Sequence, residues 1–233
     1  MGGIMSAAPA IAIMAKAPRP GQVKTRLAPI LNDIQLAELQ RVLIHNAMQL
    51  ALEVAPMNTY LCFDPPESGH AFSTLLDPQI HLVAQRGDHL GQRLMAAAND
   101  VYRRTFGPLI IIGTDIPLIT GQHLRHASSM LSSGFDVVIG PALDGGYYLI
   151  AMNQLELSVF DIDPTLWGGP DVLEATLAAA KRFRLSVGLL APLRDLDTPN
   201  DALELIKAPT LSPELRSLLC QAKPISRGTH VSL

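Results

Sequence analysis

The stretch AIAIMAKAPRPGQVKTRL, residues 10–27, decides how this chain is read. Its first six residues are apolar at every position, the pattern of a strand covered on both faces, as in a parallel sheet between helix layers. Directly behind them come Lys16, Arg19, Lys24 and Arg26, interleaved with Pro18, Pro20 and Gly21. Ligands of open α/β sheets bind outside the carboxyl ends of the strands, so a stiffened basic loop at such an exit is placed to hold phosphates. A solvated surface loop would carry the same residues. The choice between the two rests on what the remainder of the chain supplies.

The 233 residues are enough for one sizeable core. With 48% hydrophobic and 17% charged residues the composition is globular, and a net charge of −3 gives no overall attraction to nucleic acid. The basic loop is therefore a local feature. Cys62 and Cys220 are far apart and in no metal or redox spacing, which reads as two ordinary buried thiols of a reducing compartment and a cytoplasmic location. No apolar run approaches the ~20 residues needed to cross a bilayer, and the start lacks the n-region and h-region of a signal peptide, so no membrane partner is expected. The opening MGGIMS formally fits the myristoylation pattern M-G-x-x-x-S. We read it instead as part of a flexible tail, residues 1–8, matched by a second at 223–233 around one domain spanning 9–222.

Outward from the opening stretch, short β-rich runs alternate with helix-period segments. Asn32 can cap a helix whose apolar stripe runs Leu36, Leu39, Leu43, Ala47, Leu50 and Val54. Strands are predicted at 59–63, 80–84 and 109–112, helices at about 90–104 and, after Thr120, to about 132. A strand at 137–139 is followed after a short loop by another at 147–152, which suggests an antiparallel edge strand or hairpin mixed into a parallel sheet. A helix over 171–183, a strand over 186–190 and two Pro-initiated helices capped by Thr198 and Ser212 complete the pattern. The fold class is α/β, one domain with no repeat and no low-complexity linker.

Four further segments carry chemistry. In GTDIP, residues 113–117, Asp115 leaves the most apolar strand and can bind a divalent cation that neutralises a diphosphate; a capping or turn aspartate would look the same. In ALDGGYYLI, residues 142–150, Asp144 precedes Gly145 and Gly146, which allow positive φ and close approach of another molecule, or an ordinary hairpin turn. DLDTPNDAL, residues 195–203, places Asp195 and Asp197 on one side of an extended segment, one available to a metal and one to cap, or both structural. QRGDHLGQRL, residues 85–94, starts a helix with Gln85, Gly87 and Gly91 near its entry and Arg93 available to an anion, or is simply a capped helix start.

Some readings drop out. Val23 stands where a Walker A loop needs glycine before Lys24-Thr25, and no G-x-G-x-x-G follows a strand. No G-x-S-x-G elbow is present. His123 and His126 lie three apart on a helix but lack a third ligand.

Taken together and in order, KAPRPGQVKTRL, the Gly-Asp-x-x-Gly-x-Arg helix start, GTDIP, GPALDGGYYLI, WGGPDVL and DLDTPNDAL resemble the bacterial DUF2064 family of the GT-A nucleotide-diphospho-sugar transferase superfamily, over about residues 9–207. Some members of that family are described as arsenosugar-type glycosyltransferases. The chain is also similar to the phospholactate and molybdenum-cofactor guanylyltransferases, although prolines replace the glycine-rich first loop of the molybdenum-cofactor enzymes. The resemblance implies a GT-A fold, Rossmann-like, with a mixed, mainly parallel sheet and helices on both faces.

It further implies that Lys16, Ala17, Pro18, Gly21, Lys24, Thr25 and Arg26, with Gln85, Gly91, Arg93, Thr114 and Asp115, lie about the nucleotide and its phosphates. Asp115 takes the part of the metal-binding aspartate, for Mg²⁺ or Mn²⁺, with Asp197 as the candidate second ligand. Asp144, Gly145, Gly146 and Trp167 fall on the acceptor side, where Asp144 would orient or deprotonate a hydroxyl. Lys24 and Arg26 would neutralise the leaving phosphate. The expected partners are a nucleotide-sugar or NTP donor and a small-molecule acceptor. Glycosyl transfer is the first expectation and nucleotidyl transfer to a small phosphorylated acid the alternative. A non-catalytic nucleotide-binding module is the third, and the acids argue against it.

Overall fold

The computed structural model describes residues 8–72 and 77–222; the opening pattern of residues 1–6 and the expected tail at 223–233 lie outside the described residues. The described strands are β1 (Ala10–Lys16), β2 (Thr59–Asp64), β3 (Ile80–Ala84), β4 (Leu109–Ile112), β5 (Val137–Pro141), β6 (Tyr147–Met152) and β7 (Val187–Leu189). They form one sheet in the order β3-β2-β1-β4-β6-β5-β7. Every neighbouring pair is parallel except the two that involve β6. The helices are α1 (Asp33–Val54), α2 (Leu90–Thr105), α3 (Gly121–Ser132), α4 (Val172–Arg182), α5 (Pro199–Ile206) and α6 (Pro213–Cys220).

The apolar run of β1 explains the layering. Ile11 and Ile13 face one core with residues of α1 and α3, whereas Ala10 and Ala12 face a second core with residues of α2 and α4. Helices thus cover both faces, as the continuous hydrophobicity of the central strands requires. Helix α1 is buried on two sides, because Leu36, Leu39 and Leu43 also pack against Leu205 and Leu215 of α5 and α6. Its start is fixed by a reciprocal cap, in which Gln35 N donates to Asn32 Oδ1 (3.0 Å) and Asn32 N to Gln35 Oε1 (2.9 Å). Among the described residues no helix is long and apolar enough to cross a membrane.

Two expectations need correction. Of the two thiols, Cys62 is buried but Cys220, the last residue of α6, is exposed. Strand β6 is antiparallel and forms a hairpin with β5, but it is no edge strand; it sits between β4 and β5. The reason is its composition. Leu149, Ile150, Ala151 and Met152 are all buried, and such a segment needs cover on both faces and a partner on each side. This insertion has a consequence for function: the start of an antiparallel strand arrives at the edge where its parallel neighbours end. The turn before β6 therefore lands beside the exits of β1 and β4.

Candidate functional site

The exits of β1 and β4, the β5–β6 turn and the segment before α5 meet around a cavity of ≈ 550 Å³. The cationic side chains lining it, Lys16, Lys24 and Arg26, all come from the β1 exit. Lys24 is the centre of the arrangement. Its side chain is only 3% exposed, and its Nζ sits 2.8 Å from Asp115 Oδ1 and donates to Leu196 O at 2.7 Å. Its backbone is left-handed, φ 51°, a conformation that costs a non-glycine residue about 1 kcal/mol. Arg26 Nη1 lies 2.8 Å from Asp197 Oδ2. Two cations of the loop are thus clasped to the two carboxylates expected to hold a metal.

The acidic side is assembled by backbone contacts. Leu196 N donates to Asp115 O at 2.8 Å, which brings the 195–197 segment against the β4 exit. Asp195 and Asp197 both line the cavity, but neither caps α5. Thr198 and Asp201 do that, with Thr198 N and Oγ1 donating to Asp201 Oδ2 at 2.9 and 2.7 Å. Asp195 is buried, and among the described residues its carboxylate meets no cation and no side-chain donor, only its own backbone N–H. Burial, reinforced by the charge of Asp144 and then of Asp201 and Asp197, pushes its carboxyl up to about 6.

Asp144, at the cavity edge, accepts from Gly146 N at 2.9 Å in a local turn and has no cationic partner among the described residues. The two glycines behind it have separate uses. Gly146 lines the cavity, whereas Gly145 does not. Gly145 has φ 93°, and a Cβ there would lie 1.9 Å from Pro170 O. Its carbonyl accepts from Leu173 N at 3.0 Å. The close approach expected at this pair comes from the chain's own α4 entry.

Of the other expected residues, Thr25, Thr114 and Trp167 line the cavity, and Thr114 Oγ1 donates to Asp115 Oδ1 at 3.1 Å. Ala17, Pro18, Gly21, Gln85, Gly91 and Arg93 do not line it. Arg93 is drawn off by Asp64, Nη1 to Oδ2 at 2.9 Å, and by Gly87 O at 3.1 Å. Gln85 is buried beneath the exits of β1 and β2, donating to Cys62 O at 2.7 Å. Gly91 serves Trp167: a Cβ there would lie 2.4 Å from the indole Nε1. Gln40 was not singled out in the sequence. Buried on α1, it donates to Lys16 O (3.3 Å) and Thr114 Oγ1 (3.4 Å) and ties the two strand exits together. Its signal was a polar residue beside the leucines of the apolar stripe. His123 closes the cap of α3, accepting from Thr120 N at 3.1 Å.

The donor set suits a hard divalent cation. The cavity offers carboxylates and no histidine or cysteine, and among the described residues no three such groups converge as a closed metal cage. One or two carboxylates, completed by phosphate and water, is the manner in which Mg²⁺ is commonly held.

Three similarities bear on this geometry. A crystal structure from Desulfovibrio desulfuricans G20, provisionally named a nucleotide-diphospho-sugar transferase, is 30% identical, with a TM-score of 0.79 over 92% of this chain and 95% of that one. The 2-phospho-L-lactate guanylyltransferase of Methanocaldococcus infernus is 26% identical over 135 residues, which are 58% of this chain and 57% of that protein's length. A cytidylyltransferase from Leptospira borgpetersenii shares the fold at 12% identity, with a TM-score of 0.54 over 91% of this chain and 92% of its own. The sheet is thus that of nucleotidyltransferases and nucleotide-diphospho-sugar transferases. The family model described as "Uncharacterized protein conserved in bacteria (DUF2064)" matches residues 47–165, just over half of the sequence, and the chain belongs to the DUF2064 family.

Proposed function

We propose that the protein is a metal-dependent transferase that takes a nucleotide-activated donor into this cavity, with glycosyl transfer from an NDP-sugar to a small acceptor as its reaction. The observation that carries the reading is the double clasp of Lys24 to Asp115 and Arg26 to Asp197 at the carboxyl edge of the sheet. It gathers the charges a diphosphate and a cation require, each neutralised by the other. On donor binding, Lys24 and Arg26 exchange their carboxylates for phosphate oxygens, and Asp115 and Asp197, with Asp195 beside them, become free for Mg²⁺ or Mn²⁺. When bound, that cation neutralises the diphosphate. Lys24 and Arg26 then stabilise charge developing on the leaving phosphate. Asp144, at the edge of the cavity and without a cationic partner among the described residues, orients the acceptor hydroxyl and takes its proton.

The similarity to a guanylyltransferase favours a second reading, nucleotidyl transfer to a small phosphorylated acid. Product analysis separates the two. Protein incubated with Mn²⁺ and a panel of NDP-sugars and NTPs is expected to release nucleoside diphosphate from an NDP-sugar. Pyrophosphate release from an NTP, with every NDP-sugar inert, would give the second reading the site instead.

A further inference from the structure

The cavity is divided by chemistry. All three cationic side chains that line it come from residues 16–26, so side-chain positive charge is confined to that rim. Another wall, built from β1, α2, β6 and the entry to α4, is apolar: Met14, Leu90, Leu94, Tyr147, Trp167 and Val172. Leu94 and Val172 are core residues that nonetheless face the cavity, and Leu90 leaves 43% of its surface exposed at its mouth. The Tyr147 and Trp167 rings meet edge to face, with centroids 6.5 Å apart. Gly91 lets the indole settle against α2, and the indole Nε1 is solvent-excluded without a hydrogen-bond partner, so shape alone holds the ring. Burial raises the Tyr147 hydroxyl above its ordinary range. A wall of this kind gains by covering carbon and loses by desolvating a phosphate or a polyol.

We infer that the wall is an acceptor subsite for an aromatic or aliphatic body that carries the attacking hydroxyl. The assignment rests on the transferase reading above and narrows it. An acceptor held here presents its hydroxyl toward the polar part of the cavity where Asp144 lies, with its carbon skeleton against Leu90, Tyr147 and Trp167. A small phosphorylated acid finds no cation on this wall, so the subsite also weighs against the nucleotidyl alternative.

Trp167 is the one tryptophan of the chain, so its emission reports this wall directly. Benzyl alcohol titrated into the full-length protein is expected to shift that emission saturably, and glycerol over the same range to leave it unchanged. Leu90→Lys alters a position already exposed and is expected to weaken the alcohol's apparent affinity by about tenfold or more. An equal response to glycerol, a response that never saturates, or an unchanged affinity in Leu90→Lys would overturn the subsite. Displacement of the alcohol by GDP with Mn²⁺ would assign the wall to the donor's base and overturn the acceptor role. Calorimetry with the same nucleotide keeps the two readings apart. Nucleotide heat without an alcohol response refutes the subsite alone, and an alcohol response without nucleotide heat refutes the transferase reading and the acceptor role with it.

Discussion

At the scale of single residues, Asp195 is the carboxylate whose environment departs furthest from its ordinary chemistry. Its carboxyl is raised from an ordinary 3.8 to about 6, so the folded protein prefers it protonated. The stabilisation from that preference is complete below about pH 4 and is lost as pH rises through about 6. Asp195→Asn is therefore expected to melt a few degrees above wild type at pH 7.5, roughly 3 °C, and at the same temperature near pH 4. Thermal melts across that range check it, and a mutant that is less stable at pH 7.5 would mean that the carboxylate has a partner in the folded state. Gly91 gives a second test at this scale. Alanine there meets the indole of Trp167 at 2.4 Å, so Gly91→Ala is expected to displace the ring and shift its emission to the red. An unchanged spectrum would show that the ring is seated by other contacts.

At the scale of elements, the β1 exit and the β5–β6 turn set the site. Lys24→Met removes the counterion that Asp115 holds at 2.8 Å. It is expected to weaken nucleotide affinity by about tenfold, the loss of one charge-assisted contact, and to strengthen binding of Mn²⁺ alone. Electron paramagnetic resonance of free Mn²⁺ measures the second effect, and a fall in Mn²⁺ affinity would contradict the clasp. In the turn, Gly145→Ala meets both an unfavourable φ and the Pro170 carbonyl. A destabilisation of about 3 kcal/mol, or a melting point lower by roughly 10 °C, is expected. The turn's anchoring to α4 was not legible in the sequence, since Asp-Gly-Gly reads first as an ordinary hairpin turn and otherwise as a binding loop. Its partner, Pro170, lies 25 residues further along the chain. The caps at Asn32 and Thr198 were legible because capping is local, written in residues three apart.

At the scale of the whole molecule, periodicity and composition were enough to place the strands and main helices in order, because each central strand is apolar on both faces. The position of β6 was not taken from its own composition, although Leu149–Met152 carries it. An antiparallel edge strand or hairpin was expected; the hairpin with β5 is present, and the four buried residues require an interior place rather than an edge. The same distinction runs through the site. Residues at strand exits, Lys24, Thr114 and Asp115, were readable from their place after apolar runs, as were the two acids before α5. Arg93 and Gln85 were not, because a charge or an amide near a helix start can be spent on Asp64 or on buried carbonyls, and sequence carries no record of which.

In the proposed function the clasped charges at the carboxyl edge of the sheet form a metal-dependent nucleotide site. Calorimetric titration of GDP with and without Mn²⁺ into wild type and Asp115→Asn tests it most directly. Wild type is expected to bind the nucleotide at least about tenfold more tightly when Mn²⁺ is present, and Asp115→Asn to lose that gain while still folding. Mn²⁺-independent binding in wild type, or an undiminished Mn²⁺ effect in Asp115→Asn, would contradict it.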